Sequence, residues 1–142
     1  MGGYGALKLA MKNPNLFGSV SAHSAMLLDG FEDTTVSPRL QQIYLSIFDE
    51  IFGVSNSMAS WEENNPLGIA REVDVDGMKI YFDCGTEDEY GFYTGAGQLH
   101  DILDARGIDH EFHLYPGRHG WDYARQHTAA SLRFHWDAFN VE

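Results

Sequence analysis

The sequence predicts an α/β fold in which a parallel β-sheet carries helices on both faces. Segments with helical spacing alternate with short β-prone segments along the whole chain. One of these, MKIYFDCG at 78–85, is a continuous apolar run, which is typical of a parallel strand buried on both sides. The chain has 142 residues, of which 44% are hydrophobic, so it is large enough to form one domain with a packed core.

The first half of the chain predicts a helix, a strand and a second helix. Small and apolar residues occur on almost every side of 2–12, which suits a buried helix, and Asn13-Pro14 would end it. A β-prone run at 17–22 predicts the first strand, and the loop after it is rich in turn formers. A Ser-Pro start and apolar residues at helical spacing predict a helix over 37–52.

The second half continues the alternation. The region 54–76 is polar and broken, with a short helix predicted over 65–72. After the strand at 78–85, apolar residues spaced three and four apart predict helices over 92–106 and 121–139. The segment HEFHLY at 110–115 predicts the strand between them.

Composition and charge exclude several classes of partner. Nine Lys and Arg against 21 Asp and Glu give a formal net charge of −12, which opposes binding to nucleic acid and to anionic membranes. No apolar run approaches the about 20 residues of a membrane span, so we expect a soluble protein. Cys84 is the only cysteine, so no internal disulfide can form, which favours the cytoplasm over a secreted location.

Acidic residues cluster where one predicted strand ends. Ligands of parallel sheets bind at the carboxyl ends of the strands, which directs attention to the start of the chain and to the loops after 78–85 and 110–115. A histidine that acts as a base needs a carboxylate on its second ring nitrogen. Asp83, Glu87 and Asp88 are the acid candidates, and the sequence pattern does not separate them.

His119, in the second of these loops, is the best placed of the seven histidines. It follows a strand end, is flanked by Gly117 and Gly120, and precedes a strongly patterned helix. His23, just after the first strand, is the only other histidine that we expect could face the same site. The other five fall within predicted helices and strands: His100, His110, His113, His127 and His135.

A complete motif for a nucleophile is absent from the sequence. Gly-x-Ser-x-Gly, the strand-to-helix turn that presents a nucleophilic serine, does not occur. Met1-Gly2 matches the last two positions of that turn, and the small-residue helix that follows is what the turn requires. Ser24 and Cys84 are alternative nucleophiles, but each is better interpreted as a structural residue.

The three regions together resemble one family. In the esterase D, S-formylglutathione hydrolase and tributyrin or feruloyl esterase group of α/β-hydrolases, the sequence that follows the nucleophile is similar to MGGYGALKLAMKNPNLFGSVSAHSA at 1–25. IYFDCGTEDEY resembles the acid loop of that group, and HEFHLYPGRHGWDY resembles its histidine loop. The family's acid lies three positions after the loop glycine, which implies Asp88, and its histidine corresponds to His119. The order nucleophile, acid, histidine is also kept.

The resemblance implies a serine-type esterase that hydrolyses a carboxylic ester or thioester through an acyl-enzyme. The serine itself would immediately precede Met1, so we expect the nucleophile to be absent from this chain, together with the strands that normally come before it. The backbone N–H of Met1 would be one donor of the oxyanion hole. Two alternatives remain open: an inactive fragment or half-domain that assembles with another chain, and an acyltransferase of the same fold.

The resemblance also implies one partial α/β-hydrolase domain over 1–142, with a cap-like insertion at about 27–65. Tyr90 and Trp121, beside the acid and the histidine, are candidates for a substrate pocket, together with Met26. We expect no cofactor, no metal, and no nucleic acid or membrane partner. The expected partners are a small ester or thioester substrate and either further copies of the chain or a complementing chain.

Overall fold

The computed structural model describes residues 1–30, 38–52, 58–75 and 77–140. Helices and strands alternate within these ranges, which confirms the predicted α/β class. In chain order the elements are α1 (Gly2–Lys12), β1 (Ser19–His23), α2 (Pro38–Phe52), α3 (Met58–Asn64), α4 (Pro66–Glu72), β2 (Lys79–Gly85), α5 (Phe92–Ala105), β3 (His110–Tyr115) and α6 (Trp121–Phe139).

The strands form a parallel sheet in the order β1-β2-β3. The register places His23 of β1 opposite Asp83 of β2, and Asp83 opposite His113 of β3. Gly85, the last residue of β2, lies opposite Tyr115, the last residue of β3. All three strands therefore end at one edge of the sheet, and the loops that follow them meet there.

Helices cover both faces of the sheet, and β2 lies in the middle. Side chains alternate between the faces along a strand, so Ile80, Phe82 and Cys84 point into the main core. Helices α1 and α5 pack over that face, and α4 contacts both of these helices. The opposite face carries Tyr81 and Asp83 and is covered by α6, whose Phe134 ring lies 5.5 Å from the Tyr81 ring.

Helix α3 was not predicted from the sequence, because 54–76 is polar and its pattern indicated only the short helix at 65–72. The structure forms α3 because Trp61 is buried to 2% exposure within the core, a tertiary contact that local polarity does not reveal. Asn65 then begins α4: its side chain accepts from the Leu67 N–H and donates to the Leu28 carbonyl. Both α2 and α3 lie within the stretch expected to be a cap-like insertion.

The α6 helix has the predicted bounds, but the apolar residues that predicted it do not form its buried side. Leu132, Trp136 and Phe139 are 63%, 68% and 72% exposed. We call these three residues the α6 stripe. The side of α6 that meets the sheet carries Tyr123, Ser131 and Phe134 instead. Helical spacing thus predicted the helix but not the side that packs against the sheet.

Two observations concern surfaces. Among the described residues, β1 pairs with β2 only, so its other edge has no strand beside it. Within the same ranges, no helix is both long and apolar enough to cross a membrane.

Candidate active site

Asp88 and His119 form a hydrogen-bonded pair at the edge where the strands end. Asp88 lies in the loop between β2 and α5, and His119 lies in the loop between β3 and α6. His119 Nδ1 is 2.9 Å from Asp88 Oδ2. The Asp88 side chain is fully buried, whereas that of His119 is 33% exposed. The fold therefore brings together the acid and the histidine that the resemblance implied.

The Asp88 carboxylate is held by its own loop. Its Oδ1 atom accepts the backbone N–H of Tyr90 at 2.9 Å, and the Cys84 thiol donates to Oδ2 across 3.7 Å. The Asp88 N–H donates to the Gly85 carbonyl, which closes a tight turn directly after β2. With one oxygen held by the loop, the other faces His119, so the carboxylate is oriented before any ligand arrives.

The acid loop and the histidine loop are joined through their backbones. The Thr86 N–H donates to the Tyr115 carbonyl at 2.8 Å, and the Glu87 N–H donates to the Gly117 carbonyl at 2.9 Å. Gly117 has φ +148°. A Cβ atom at Gly85 would lie 2.3 Å from the Gly117 carbonyl oxygen, so only glycine permits this approach. The two loops therefore have one fixed separation.

The His119 ring is held between aromatic residues. Tyr90 and Phe92 contact it edge-on, with ring centroids 5.1 and 5.4 Å away. Because Nδ1 donates to the Asp88 carboxylate, the neutral ring presents Nε2 as a proton acceptor. The contact of Phe92 with His119 was not predicted from the sequence, since the spacing of Phe92 assigned it to the apolar side of a helix. Only its position directly after the acid loop could have indicated this contact.

A cavity of about 260 Å³ adjoins His119 at the end of β1. Trp121 lines it although 85% of its surface is exposed, and Tyr123 lies nearby on the first turn of α6. Ser24 also lines the cavity, is buried, and has φ +46°, an uncommon conformation for a residue other than glycine. The full lining is His23, Ser24, His119, Gly120, Trp121, Tyr123 and Ala124.

The structure separates the acid candidates that the sequence pattern left open. Asp83 lies 2.8 Å from Nδ1 of His23, the second histidine candidate, so these two residues pair with each other. Glu87 is exposed, and its backbone N–H serves the loop contact described above. Of the three acids, Asp88 is the one hydrogen-bonded to His119.

Neither alternative nucleophile forms a pair with His119. Cys84 is fully buried, and burial, assisted by the Asp88 charge, raises the pKa of its thiol to about 12. It is therefore a neutral thiol at physiological pH, which is a poor nucleophile. The Ser24 hydroxyl lies beside the Cys84 thiol and makes no hydrogen bond to His119.

The beginning of α1 lies at the same edge of the sheet. A Cβ atom at Gly3 would be 3.0 Å from Ala25 Cβ and 3.2 Å from the His23 carbonyl oxygen, so α1 packs closely on the end of β1. Met1 is the N-cap residue of α1 and is 51% exposed. The start of α1 and the cavity beside His119 thus share the end of β1 as a neighbour.

The three residues expected to line a pocket occupy different environments. Tyr90 contacts His119, and Trp121 lines the cavity. Met26 is 2% exposed and belongs to the main core, away from the cavity lining. Within the described ranges, His, Cys, Asp and Glu side chains do not gather in any group of three or more that could hold a metal ion.

The chain is similar in sequence to esterases. The Esterase family model matches residues 1–135. An acetyl esterase from Caldicellulosiruptor saccharolyticus is 27% identical over 140 residues, which covers 96% of this chain and 51% of that protein.

Two solved structures share the fold. A ferulic acid esterase superposes with a TM-score of 0.70 at 21% identity, covering 99% of this chain and 49% of the other. An S-formylglutathione hydrolase from Agrobacterium tumefaciens superposes with a TM-score of 0.67 at 19% identity, covering 99% and 47%. The chain spans about half the length of each of these relatives.

Proposed function

The chain belongs to the Esterase family, and from that premise we propose that it carries the acid and the base of a serine-type esterase. The observation that carries the proposal is the 2.9 Å contact between His119 Nδ1 and the buried Asp88 carboxylate beside a cavity. This contact is the one that orients a catalytic histidine and leaves its second nitrogen free for proton transfer.

In the proposed reaction, His119 Nε2 takes the proton of a serine hydroxyl as the serine oxygen attacks the acyl carbon of an ester or thioester. The imidazolium then gives that proton to the leaving alcohol or thiol, and an acyl-serine remains. Water attacks the acyl-serine with the same assistance and releases the carboxylic acid. Asp88 holds the ring in place and stabilises the imidazolium in both steps.

We propose that the serine immediately precedes Met1 in the active protein. Two observations support this position. The first residues of the chain resemble the sequence that follows the nucleophile in the family. In addition, Gly3 packs against the end of β1, which also borders the cavity beside His119. The Met1 backbone N–H would then point toward the developing oxyanion as the first donor of the oxyanion hole. One relative is an acetyl esterase, so an acetyl ester is the first substrate to test.

A second candidate function is that of a half-domain that is inactive until another chain completes it. Two surfaces favour it. The outer edge of β1 has no partner strand among the described residues, and the α6 stripe exposes three large apolar side chains. A strand on the first surface and a helix on the second would bury both. Self-association through the same surfaces is the competing arrangement.

Hydrolysis of 4-nitrophenyl acetate tests these proposals. We expect the 142-residue chain to leave the rate of hydrolysis at its spontaneous value in buffer. A version extended by the residues encoded upstream of Met1 should hydrolyse the ester far faster. His119→Ala should abolish the gain. An inactive extended protein would refute the esterase proposal. A rate well above buffer from the printed chain, lost in His119→Ala, would refute the proposed position of the serine and direct attention to Ser24→Ala.

Supplying the upstream segment as a separate polypeptide tests the half-domain proposal. Activity that appears on mixing, with a 1:1 complex in sedimentation, would support a complementing chain. A stable dimer of the printed chain that does not dissociate on mixing would instead support self-association.

A further inference from the structure

Asp83 is a buried carboxylate that the proposed chemistry does not use. It lies on the face of β2 that α6 covers, and its side chain is fully buried. Tyr81 donates its hydroxyl to Oδ2 at 2.8 Å, and Tyr123 donates its hydroxyl to Oδ1 at 3.0 Å. His23 Nδ1 is also 2.8 Å from Oδ2. Three partners are enough to compensate the loss of water around a buried carboxylate.

Tyr123, one of these partners, packs against the loop that carries His119. Tyr123 follows His119 by four positions, on the first turn of α6. Its ring packs on both loop glycines: a Cβ atom at Gly117 would lie 2.8 Å from Tyr123 Cδ2, and one at Gly85 would lie 3.4 Å from Tyr123 Cε2. The tyrosine therefore fills the space beneath the loop that carries His119, and its hydroxyl is anchored to Asp83.

A second connection fixes α6 two turns further along. His23, held by Asp83 through Nδ1, is 3.0 Å from the Ser131 hydroxyl through Nε2. Ser131, His23 and Asp83 repeat the residue types of a catalytic triad. Ser131 is nevertheless only 4% exposed, and its hydroxyl donates to the Thr128 carbonyl of its own helix, so it is not presented as a nucleophile.

The Tyr123 hydroxyl is suited to be a permanent donor. Burial, followed by the negative charge of Asp83, raises the pKa of Tyr123 above its ordinary value, so the phenol keeps its proton throughout the physiological range. Tyr123 therefore remains a hydrogen-bond donor to Asp83 throughout the physiological pH range.

From these contacts we infer that Asp83 is a positioning residue for His119, acting through Tyr123 and the first turn of α6. Asp88 orients the imidazole ring, whereas Asp83, by anchoring Tyr123, fixes the position of the loop that carries the ring. The inference rests on the proposed role of His119 in catalysis. It predicts that loosening Asp83 or Tyr123 disturbs the His119–Asp88 hydrogen bond although neither residue touches that bond.

Nuclear magnetic resonance of the printed chain tests the inference without requiring activity. The readouts are the low-field proton on His119 Nδ1, its exchange rate with water, and the ¹⁵N shifts that report the tautomer. We expect Tyr123→Phe, which keeps the ring and removes the hydroxyl, to raise the exchange rate about tenfold, the scale of one lost buried hydrogen bond. Asp83→Asn should raise it at least as much. Tyr93→Phe, at a 40% exposed tyrosine on α5, should leave it unchanged.

An unchanged exchange rate in folded Tyr123→Phe would overturn the inference. That variant decides the question on its own if Asp83→Asn does not fold, because it preserves the packing against Gly117. In an active extended protein, we expect Tyr123→Phe to lower kcat about tenfold with KM little changed. If the extended protein is inactive, the proposed function is refuted, while the exchange measurement still reports on Asp83 and Tyr123.

Discussion

The backbones at Gly85 and Gly117 lie so close together that a methyl group at Gly85 would clash with the Gly117 carbonyl. A Cβ atom at Gly85 would stand 2.3 Å from the Gly117 carbonyl oxygen and 2.9 Å from its carbonyl carbon. One glycine ends β2 and begins the turn to Asp88, and the other lies two residues before His119. The separation of the acid from the histidine therefore depends on the absence of a side chain at Gly85.

Gly85→Ala should move the two loops apart. We expect the free energy of unfolding to fall by about 1–3 kcal/mol, as for other substitutions that overpack a close contact, and the His119 Nδ1 resonance to be lost. Urea unfolding measures the first effect. Gly97→Ala in α5 is the matched control: nothing lies within 4 Å of its Cβ position, so alanine should stabilise the helix by about 0.5–1 kcal/mol. Equal effects at the two positions would contradict this account of Gly85.

Asp88→Asn should remove the partner of His119 while preserving shape. In the active extended protein, we expect kcat to fall by about 10⁴-fold, because an asparagine does not stabilise the imidazolium and favours the wrong tautomer. Steady-state hydrolysis of 4-nitrophenyl acetate gives the value. Glu87→Gln, one residue earlier and exposed, should remain within about twofold of the parent. A larger loss for Glu87→Gln than for Asp88→Asn would reverse the assignment of the acid.

Cys84 should make the chain less stable in alkali. Its thiol pKa is raised from 9.0 to about 12 by burial and the Asp88 charge, so between these values the folded chain holds a proton that the unfolded chain has lost. Stability then falls as pH rises from 9.0 toward 12, by up to about 1.4 kcal/mol per pH unit. Below pH 9 the thiol should not react with iodoacetamide unless the chain unfolds.

Urea titrations of the parent and of Cys84→Ala at several pH values isolate this contribution, because the cavity left by alanine lowers stability equally at every pH. The buried tyrosines contribute to the alkaline slope of both proteins and cancel in the difference. Parallel curves for the two proteins between pH 9 and 11 would show that Cys84 titrates normally.

The α6 stripe should matter for association more than for folding of the chain. We expect Trp136→Ser to change the free energy of unfolding by less than about 0.5 kcal/mol, since the residue is 68% exposed. Phe134→Ala, two residues earlier and 9% exposed, should cost about 3 kcal/mol or more. Sedimentation should show weaker self-association, or weaker binding of a complementing chain, for Trp136→Ser. A loss of stability comparable to that of Phe134→Ala would contradict the orientation of α6.

Local patterns predicted most of the secondary structure because they depend on neighbours within one or two turns. The helices at 2–12 and 121–139 have the predicted bounds, and β3 matches HEFHLY at 110–115. Helix α3 was missed because its stability comes from burying Trp61 in the core. The strand predicted at 17–22 lies at Ser19–His23 instead, and Phe17 is left 42% exposed before it.

By itself, the sequence determined the fold class, the family and the two loops where acid and histidine lie, because these follow from spacing, alternation and motif order. The residue pattern alone left three acids and two histidines open, and only the resemblance to the family singled out Asp88 and His119. The tertiary structure decided which side chains meet: the parallel register sets His23 opposite Asp83 within the sheet, while the turn after Gly85 carries Asp88 beyond the strand end to meet His119. Residues separated by 31 or 60 positions meet only through strand register and loop packing, which no local pattern encodes.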